Sequence, residues 1–129
     1  MKEDIKNLED VKVLVNTFYN NIRENELLGP IFNELITDWQ PHLEKMYTFW
    51  DSILFGSATY SGKPFLPHAN LPIKAEHFAQ WVGLFKNTVD SLFEGDNANE
   101  AKNRAEKIAE IFAYKKDYLD NGKRSDSLL

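Results

Sequence analysis

Apolar residues recur at steps of three and four along most of this chain, the spacing that places them on one face of a helix. The first such stretch ends near Asn25, and a short apolar segment at 31–36 follows Gly29 and Pro30. The apolar face of the first stretch consists of Val11, Leu14, Val15, Phe18 and Ile22, with Tyr19 beside them. This pattern predicts a helix with one buried stripe that also carries a polar-tipped aromatic residue.

A second amphipathic stretch lies before Gly56, which is expected to end it. Thr37 and Gln40 have the spacing of a capping box, and Pro41 falls in the first turn, where its missing N–H costs little. The apolar positions that follow are Leu43, Met46, Phe49, Trp50, Ile53 and Leu54. We therefore expect this helix to start at Thr37.

The clearest helical pattern begins at about residue 74, and Gly95 is expected to end it. Its unbroken stripe consists of Phe78, Trp81, Val82, Phe85, Thr88, Val89 and Leu92. A last helix is predicted to start at Asn97 and Glu100, which have the spacing of a capping-box variant, and to run to about Leu119. These two segments complete a predominantly helical chain.

No stretch shows the residue alternation of a strand, so the predicted fold class is all-α. With 129 residues, the chain is expected to form a single domain, 1–129, with a core over about 8–120 and a frayed tail at 121–129. Residues 56–72 are the one long irregular region. A loop of this length within a compact domain is usually functional or disordered, and its Phe65, Leu66 and Leu71 lead us to expect a packed one.

The composition excludes several classes of function. A formal net charge of −5 argues against nonspecific binding to nucleic acid and against binding to an anionic membrane surface. The absence of cysteine excludes disulfides, thiolate zinc sites and iron–sulfur clusters. No apolar run approaches the ~20 residues of a membrane span, and no export segment follows Met1, so we expect a cytoplasmic protein without membrane or nucleic-acid partners.

The proline-rich loop contains the histidine of greatest interest, His68, between Pro67 and Pro72. The chain has only three histidines, and the other two are His42 and His77. A histidine at the edge of an aromatic helical pocket is what a five-coordinate haem iron requires. The spacing alone is equally compatible with an ordinary loop histidine at position 68. A zinc site formed by the three histidines is a further alternative, but no zinc-binding motif supports it.

Three other residues each have a structural and a functional interpretation. His42 heads an apolar stripe, so it is either a helix-start residue facing water or a gate over a cavity. Tyr19 is either a core residue bonded to a carbonyl or a donor to a ligand, and Trp81 is either core or a pocket wall with a donor. His77 lies off the main stripe of its helix and is interpreted as a surface histidine.

The chain resembles the truncated haemoglobins, specifically group III, over roughly residues 10–115. The resemblance is carried by Phe18-Tyr19, Gly29-Pro30-Ile31-Phe32, Trp39-Gln40-Pro41-His42 running to Phe49-Trp50, Tyr60-Ser61-Gly62-Lys63-Pro64, His68-Ala69-Asn70-Leu71-Pro72, and His77-Phe78 with Trp81. It implies a globin-like fold, a truncated two-over-two helical sandwich that encloses haem b (iron protoporphyrin IX).

The resemblance also implies roles for individual residues. His68 matches the proximal iron ligand, whereas Tyr19, His42 and Trp81 match the distal side, where a ligand is bound. The expected lining of the cofactor site consists of Phe32, His42, Met46, Phe49, Trp50, Phe78 and Trp81, with Phe85 as a further apolar surface. Lys45, Lys63 and Lys74 are the candidate partners of the haem propionates.

Three functions are compatible with these features. The first is reversible binding of O2, CO or NO at an open sixth position of the iron. The second is a haem enzyme, a peroxidase or a nitric oxide dioxygenase, which would use an external reductase because the chain contains no reductase domain. The third is a cofactor-free helical interaction module, in which every apolar stripe is simply core.

Overall fold

Five α-helices make up the computed structural model, which describes residues 2–57 and 73–121, with side chains to 119. They are α1 Leu8–Glu24, α2 Gly29–Leu35, α3 Trp39–Phe55, α4 Ala75–Leu92 and α5 Asp96–Asn121. No strand occurs in these ranges, which confirms the all-α prediction. The packed loop predicted around His68 and the frayed tail predicted after residue 121 fall outside the described residues.

The helices form two packed pairs, α1 with α3 and α4 with α5. Helix α1 also packs against α4 and α2, and α3 touches α5, so that the two pairs lie on one another. The α1 stripe predicted from periodicity is the centre of this arrangement, because its apolar side chains are at most 1% exposed. The two-over-two arrangement implied by the sequence resemblance is therefore confirmed.

A stack of three aromatic rings joins α3 to α4 in the core. Phe85 is fully buried, with its ring 4.7 Å from that of Trp50 and 5.9 Å from that of Trp81, both nearly parallel to it. Phe18 of α1 meets Phe85 and Trp81 edge-on, at 5.0 and 5.6 Å. Offset stacking and edge-on contact are the favoured geometries of aromatic pairs, so this cluster fixes α1, α3 and α4 relative to one another.

The N-cap of α3 lies one residue after the predicted one. Asp38 is the N-cap, with an extended backbone, and the helix begins at Trp39, so the capping box at Thr37 and Gln40 was wrong. The side chain of Gln40 instead donates to Glu44 on the next turn. The end of α3 is as predicted, because Gly56 adopts the left-handed conformation (φ 65°) that favours glycine after a helix.

The start of α4 gives His77 a local role. Its half-buried ring accepts a hydrogen bond at Nδ1 from the backbone N–H of Lys74, the N-cap residue, at 2.9 Å. This bond is the returning half of a capping box, with an imidazole in place of a carboxylate. The surface histidine predicted at 77 is thus a helix-capping residue. At the other end, α4 stops at Leu92, three residues before the predicted glycine.

Helix α5 is capped by a carboxylate from the other end of the chain. Asp4 accepts hydrogen bonds from the backbone N–H of Asn97 at 2.9 Å and from that of Ala98 at 2.8 Å. The capping-box prediction for Asn97 was therefore wrong: this residue lies inside the helix, and its side-chain amide donates to the carbonyl of Ile5. Gly95 (φ 143°) makes room, since a Cβ there would lie 2.5 Å from the carboxyl carbon of Asp4.

Removal of this carboxylate should destabilise the fold. We expect Asp4→Ala to lower the free energy of unfolding by about 0.5–2 kcal/mol, the usual cost of losing an N-cap. Partial desolvation of the Asp4 carboxylate is outweighed by hydrogen bonds from four backbone N–H groups, so its pKa is lowered. The stabilisation should therefore be complete above the ordinary aspartate pKa and disappear as the pH falls through the lowered one.

Urea unfolding followed by far-UV circular dichroism, from neutral pH down to about pH 3, tests this expectation. Lys2→Ala is the control, since this exposed neighbour has no part in the cap. Equal unfolding free energies for Asp4→Ala and the unmodified chain at neutral pH would contradict the capping role.

Candidate functional site

Two residues predicted for the distal side come together between α1 and α3. The rings of Tyr19 and His42 are 5.0 Å apart and nearly perpendicular. Phe32 of α2 lies 6.2 Å from the Tyr19 ring, and Trp39, at the start of α3, lies 5.9 Å from it. The Tyr19 phenol and the His42 imidazole are thus in contact, and aromatic residues from α1, α2 and α3 form their surroundings.

The hydroxyl of Tyr19 is a donor held in an apolar environment. Burial raises its pKa well above the usual range, and no hydrogen bond contributes to the shift. The group therefore stays protonated at neutral and mildly alkaline pH. A buried hydroxyl normally has a hydrogen-bond partner, yet no carbonyl of the described residues accepts from Tyr19. The carbonyl acceptor that the core-tyrosine interpretation requires is therefore not found within residues 2–57 and 73–121.

His42 does not face water. Its ring is half-buried and its Nε2 atom is completely buried, so the interpretation of a solvent-exposed helix-start histidine was wrong. Trp39 packs edge-on against the imidazole at 5.9 Å, one turn earlier on the same helix. The imidazole is consequently enclosed by Trp39 on α3 and Tyr19 on α1.

Trp81 lies in a neighbouring cluster rather than in contact with these two rings. It is half-buried on α4, stacked on Phe85, and it meets Phe18 edge-on. Phe18 in turn contacts Tyr19, with ring centroids 5.1 Å apart. Trp81 is thus joined to the distal pair through Phe18, and the core and pocket-wall interpretations are both compatible with its partial exposure.

The remaining predicted lining residues fall into two groups. Met46 and Phe49 follow His42 along α3 at i+4 and i+7 and are only half-buried, although both are apolar. Trp50 and Phe78, at 3% and 8% exposure, belong to the core. Ring faces and aliphatic surface on α3 are therefore left partly uncovered by the described residues, next to the buried polar atoms of Tyr19 and His42.

Trp39 belongs to the site although no site role was predicted for it. This half-buried residue contacts both Tyr19 and His42, and the guanidinium carbon of Arg23 lies 4.7 Å above its ring. The signal that could have revealed it is its position three residues before His42, which places both residues on one helix face. Arg23 gave no such signal, because it faces Trp39 from another helix.

The described residues contain no three-residue cluster of histidine, aspartate or glutamate that could hold a metal ion. The zinc site weighed from the three histidines includes His68 and so lies partly outside these ranges. None of the helices within 2–57 and 73–121 combines the length and the hydropathy that crossing a bilayer requires.

Comparison with known proteins identifies the class to which this fold and site belong. The family model of bacterial-like globins matches residues 3–115. The chain belongs to the bacterial-like globin family, and as a globin it is a haem-based ligand-binding protein.

Two similar proteins indicate which group of globins this chain resembles. The group 3 truncated haemoglobin ctb of Campylobacter jejuni is 33% identical over 117 residues, which cover 87% of this chain and 92% of that protein. The crystal structure of the group III truncated haemoglobin from Campylobacter jejuni matches with a TM-score of 0.81 at 33% identity, covering 88% of this chain and 94% of that chain. The resemblance to group III inferred from the motifs is confirmed.

The described residues fit a haem group on the distal side. A porphyrin needs broad apolar contacts, which the half-buried Phe32, Met46 and Phe49 offer from α2 and α3. It also needs polar groups near an open iron position, and the buried hydroxyl of Tyr19 and imidazole of His42 have that chemistry. The expected proximal ligand, His68, lies outside the described residues, so this fit concerns one face of the haem.

Proposed function

We propose that this globin holds haem b through His68 and reversibly binds O2, with CO and NO as further ligands, beside Tyr19 and His42. The observation that carries the proposal is the Tyr19 hydroxyl, a protonated donor buried among aromatic rings without a carbonyl acceptor in the described residues. Such a donor is pre-positioned for a small ligand that carries partial negative charge. The location in the cytoplasm stays a prediction.

In this proposal, the haem and the residues of the chain have different roles in ligand binding. When bound, haem supplies an iron atom with an open sixth position. Tyr19 donates a hydrogen bond to the ligand, His42 holds or releases a proton beside it, and the Trp81 N–H is a third donor. Phe32, Met46 and Phe49 exclude water with their apolar surfaces, while Trp50 and Phe78 support the lining from the core. Exclusion of water strengthens each hydrogen bond because it lowers the local dielectric constant.

The proposed propionate partners are lysines at the edge of the site. Lys45 and Lys74 are exposed, at the surface of α3 and at the start of α4. Lys63 lies outside the described residues. Because exposed ion pairs contribute little, about 0–1 kcal/mol each, we assign most of the haem affinity to the apolar lining and the iron ligand.

Titration of the purified chain with hemin tests the proposed function. We expect saturable binding of one haem, a Soret band of a five- or six-coordinate globin in the ferric and ferrous forms, and a distinct ferrous–CO spectrum. Free hemin in the same buffer is the control. A chain that stays colourless, or that gives only the spectrum of free hemin, would be the cofactor-free helical module instead.

A haem enzyme of peroxidase or nitric oxide dioxygenase type is the second candidate. The buried polar pair of Tyr19 and His42 favours it, because donors that retain O2 can also polarise an O–O bond. A dioxygenase would require an external reductase. Turnover of peroxide, or of NO with a supplied reductant, above that of free haem would identify the enzyme.

A further inference from the structure

We infer that the indole of Trp39, held by the guanidinium of Arg23, is the lid of a passage from the surface to Tyr19 and His42. This inference rests on the proposed function, since it names the residues that control the entry of a small ligand to that site. His42 is the inner wall of the passage, and the moving part is the pair of side chains outside it.

The passage begins as a groove between α1 and α3, with a volume of about 340 Å³. Asn16 and Arg23 of α1 line one side, Trp39 and Leu43 of α3 line the other, and Tyr19 lies at its base. Tyr19 is only 6% exposed although it lines this groove. The groove therefore leads from solvent to the Tyr19 side chain.

In the inferred arrangement, the Trp39 ring covers the inner end of this groove. It lines the groove and contacts the rings of Tyr19 and His42, each at 5.9 Å. A rotation of the indole away from α1 would open the groove onto the two polar groups without moving a helix. The cover is half-buried, which leaves the indole room to move outward.

Arg23 holds the indole from the opposite helix. Its guanidinium carbon lies 4.7 Å over the Trp39 ring, within the range of a cation–π contact. The base of Arg23 is fixed, since its carbonyl accepts from the Asn33 amide and Gly29 packs against it so closely that a Cβ would lie 2.7 Å away. A fixed backbone with an exposed side chain is what a reversible contact of this kind requires.

Flash photolysis of the ferrous–CO complex of the haem-loaded protein tests the lid. We expect Arg23→Met to raise the bimolecular association rate about two- to fivefold, the factor equivalent to one exposed cation–π contact. Trp39→Ala, which removes two aromatic contacts, should raise it roughly tenfold or more. A bulky ligand, n-butyl isocyanide, should gain more than CO, because the passage limits it by size.

Lys12→Met is the matched control, because Lys12 makes the same kind of contact on the same helix, 5.8 Å from the Tyr47 ring, and is not among the residues that line the groove. Its rates should equal those of the unmodified chain. Unchanged association rates in both Arg23→Met and Trp39→Ala, with a normal globin spectrum, would overturn the lid alone. A chain with no globin spectrum would instead overturn the proposed function.

A second measurement does not depend on ligand chemistry and keeps the test valid if Trp39→Ala fails to fold. In ¹⁵N-labelled protein, the Trp39 indole N–H resonance is the one missing from the spectrum of Trp39→Phe. Arg23→Met should speed its exchange with solvent about two- to fivefold, as expected for a lid that opens more often. Equal exchange in Arg23→Met and Lys12→Met would contradict the role of Arg23 in holding the indole.

Discussion

His68→Ala should abolish the globin spectrum of the haem-loaded protein. The proposed fifth iron ligand is then lost, and no cysteine in the chain can replace it. His77 is committed to capping α4 through its Nδ1 atom, and His42 belongs to the distal side in this proposal. We expect the five- or six-coordinate Soret band to be replaced by that of loosely held hemin, measured by absorption titration in the ferric, ferrous and ferrous–CO forms.

Two controls make this result specific. His77→Ala removes another of the three histidines but only the cap of a helix, so its haem spectrum should be that of the unmodified chain. Added imidazole should restore a ligated spectrum to His68→Ala if the mutant cavity is otherwise intact. Normal haem affinity and iron ligation in His68→Ala without imidazole would rule out His68 as the ligand.

Tyr19→Phe should accelerate O2 dissociation from the haem-loaded protein by about ten- to a hundredfold. The substitution keeps the ring that packs on Phe18 and His42 and removes only the donor. Loss of a hydrogen bond to a partially charged ligand costs roughly 1.5–3 kcal/mol, which corresponds to that range of rates. Stopped-flow mixing of the oxygenated protein with dithionite measures the dissociation rate directly.

The control for this prediction is the same substitution at Tyr47, whose hydroxyl donates to Asn16 at 2.5 Å. Tyr47→Phe should leave O2 dissociation unchanged. In the unmodified chain, the dissociation rate should also stay constant through the ordinary tyrosine pKa of about 10, because burial raises the pKa of Tyr19 beyond it. Equal rates for Tyr19→Phe and the unmodified chain would show that another group stabilises the ligand.

The parts of the fold that the sequence predicted are those set by local periodicity. The stripe of α1 was found because burial of one helix face leaves a repeat of three and four residues, and its members are almost wholly inaccessible in the structure. The motifs also identified the group III resemblance, and through it Tyr19 and His42 as neighbours. Nothing in the spacing of residues 19 and 42 alone required their rings to meet.

The parts that were missed depend on contacts between distant segments. Asn97 has a plausible capping pattern, yet the carboxylate of Asp4 takes that role, and no local rule relates residues 93 positions apart. Arg23 and Trp39 are likewise brought together by the packing of two helices. The start of α3 was misplaced because both Thr37 and Asp38 are suitable N-cap residues. In the structure Asp38 has the extended backbone of the N-cap.

The cap on α5 has a consequence for how the chain acquires its structure during synthesis. Residues 3–5 are made well before their partners at 94–98, which come much later along the chain. Until then Ile5, which is completely buried in the finished core, remains exposed. Closing so long a loop is entropically unfavourable, so this contact should form late. The ribosome-bound chain should therefore contain α1 to α4 before the contact between residues 3–5 and 94–98 forms.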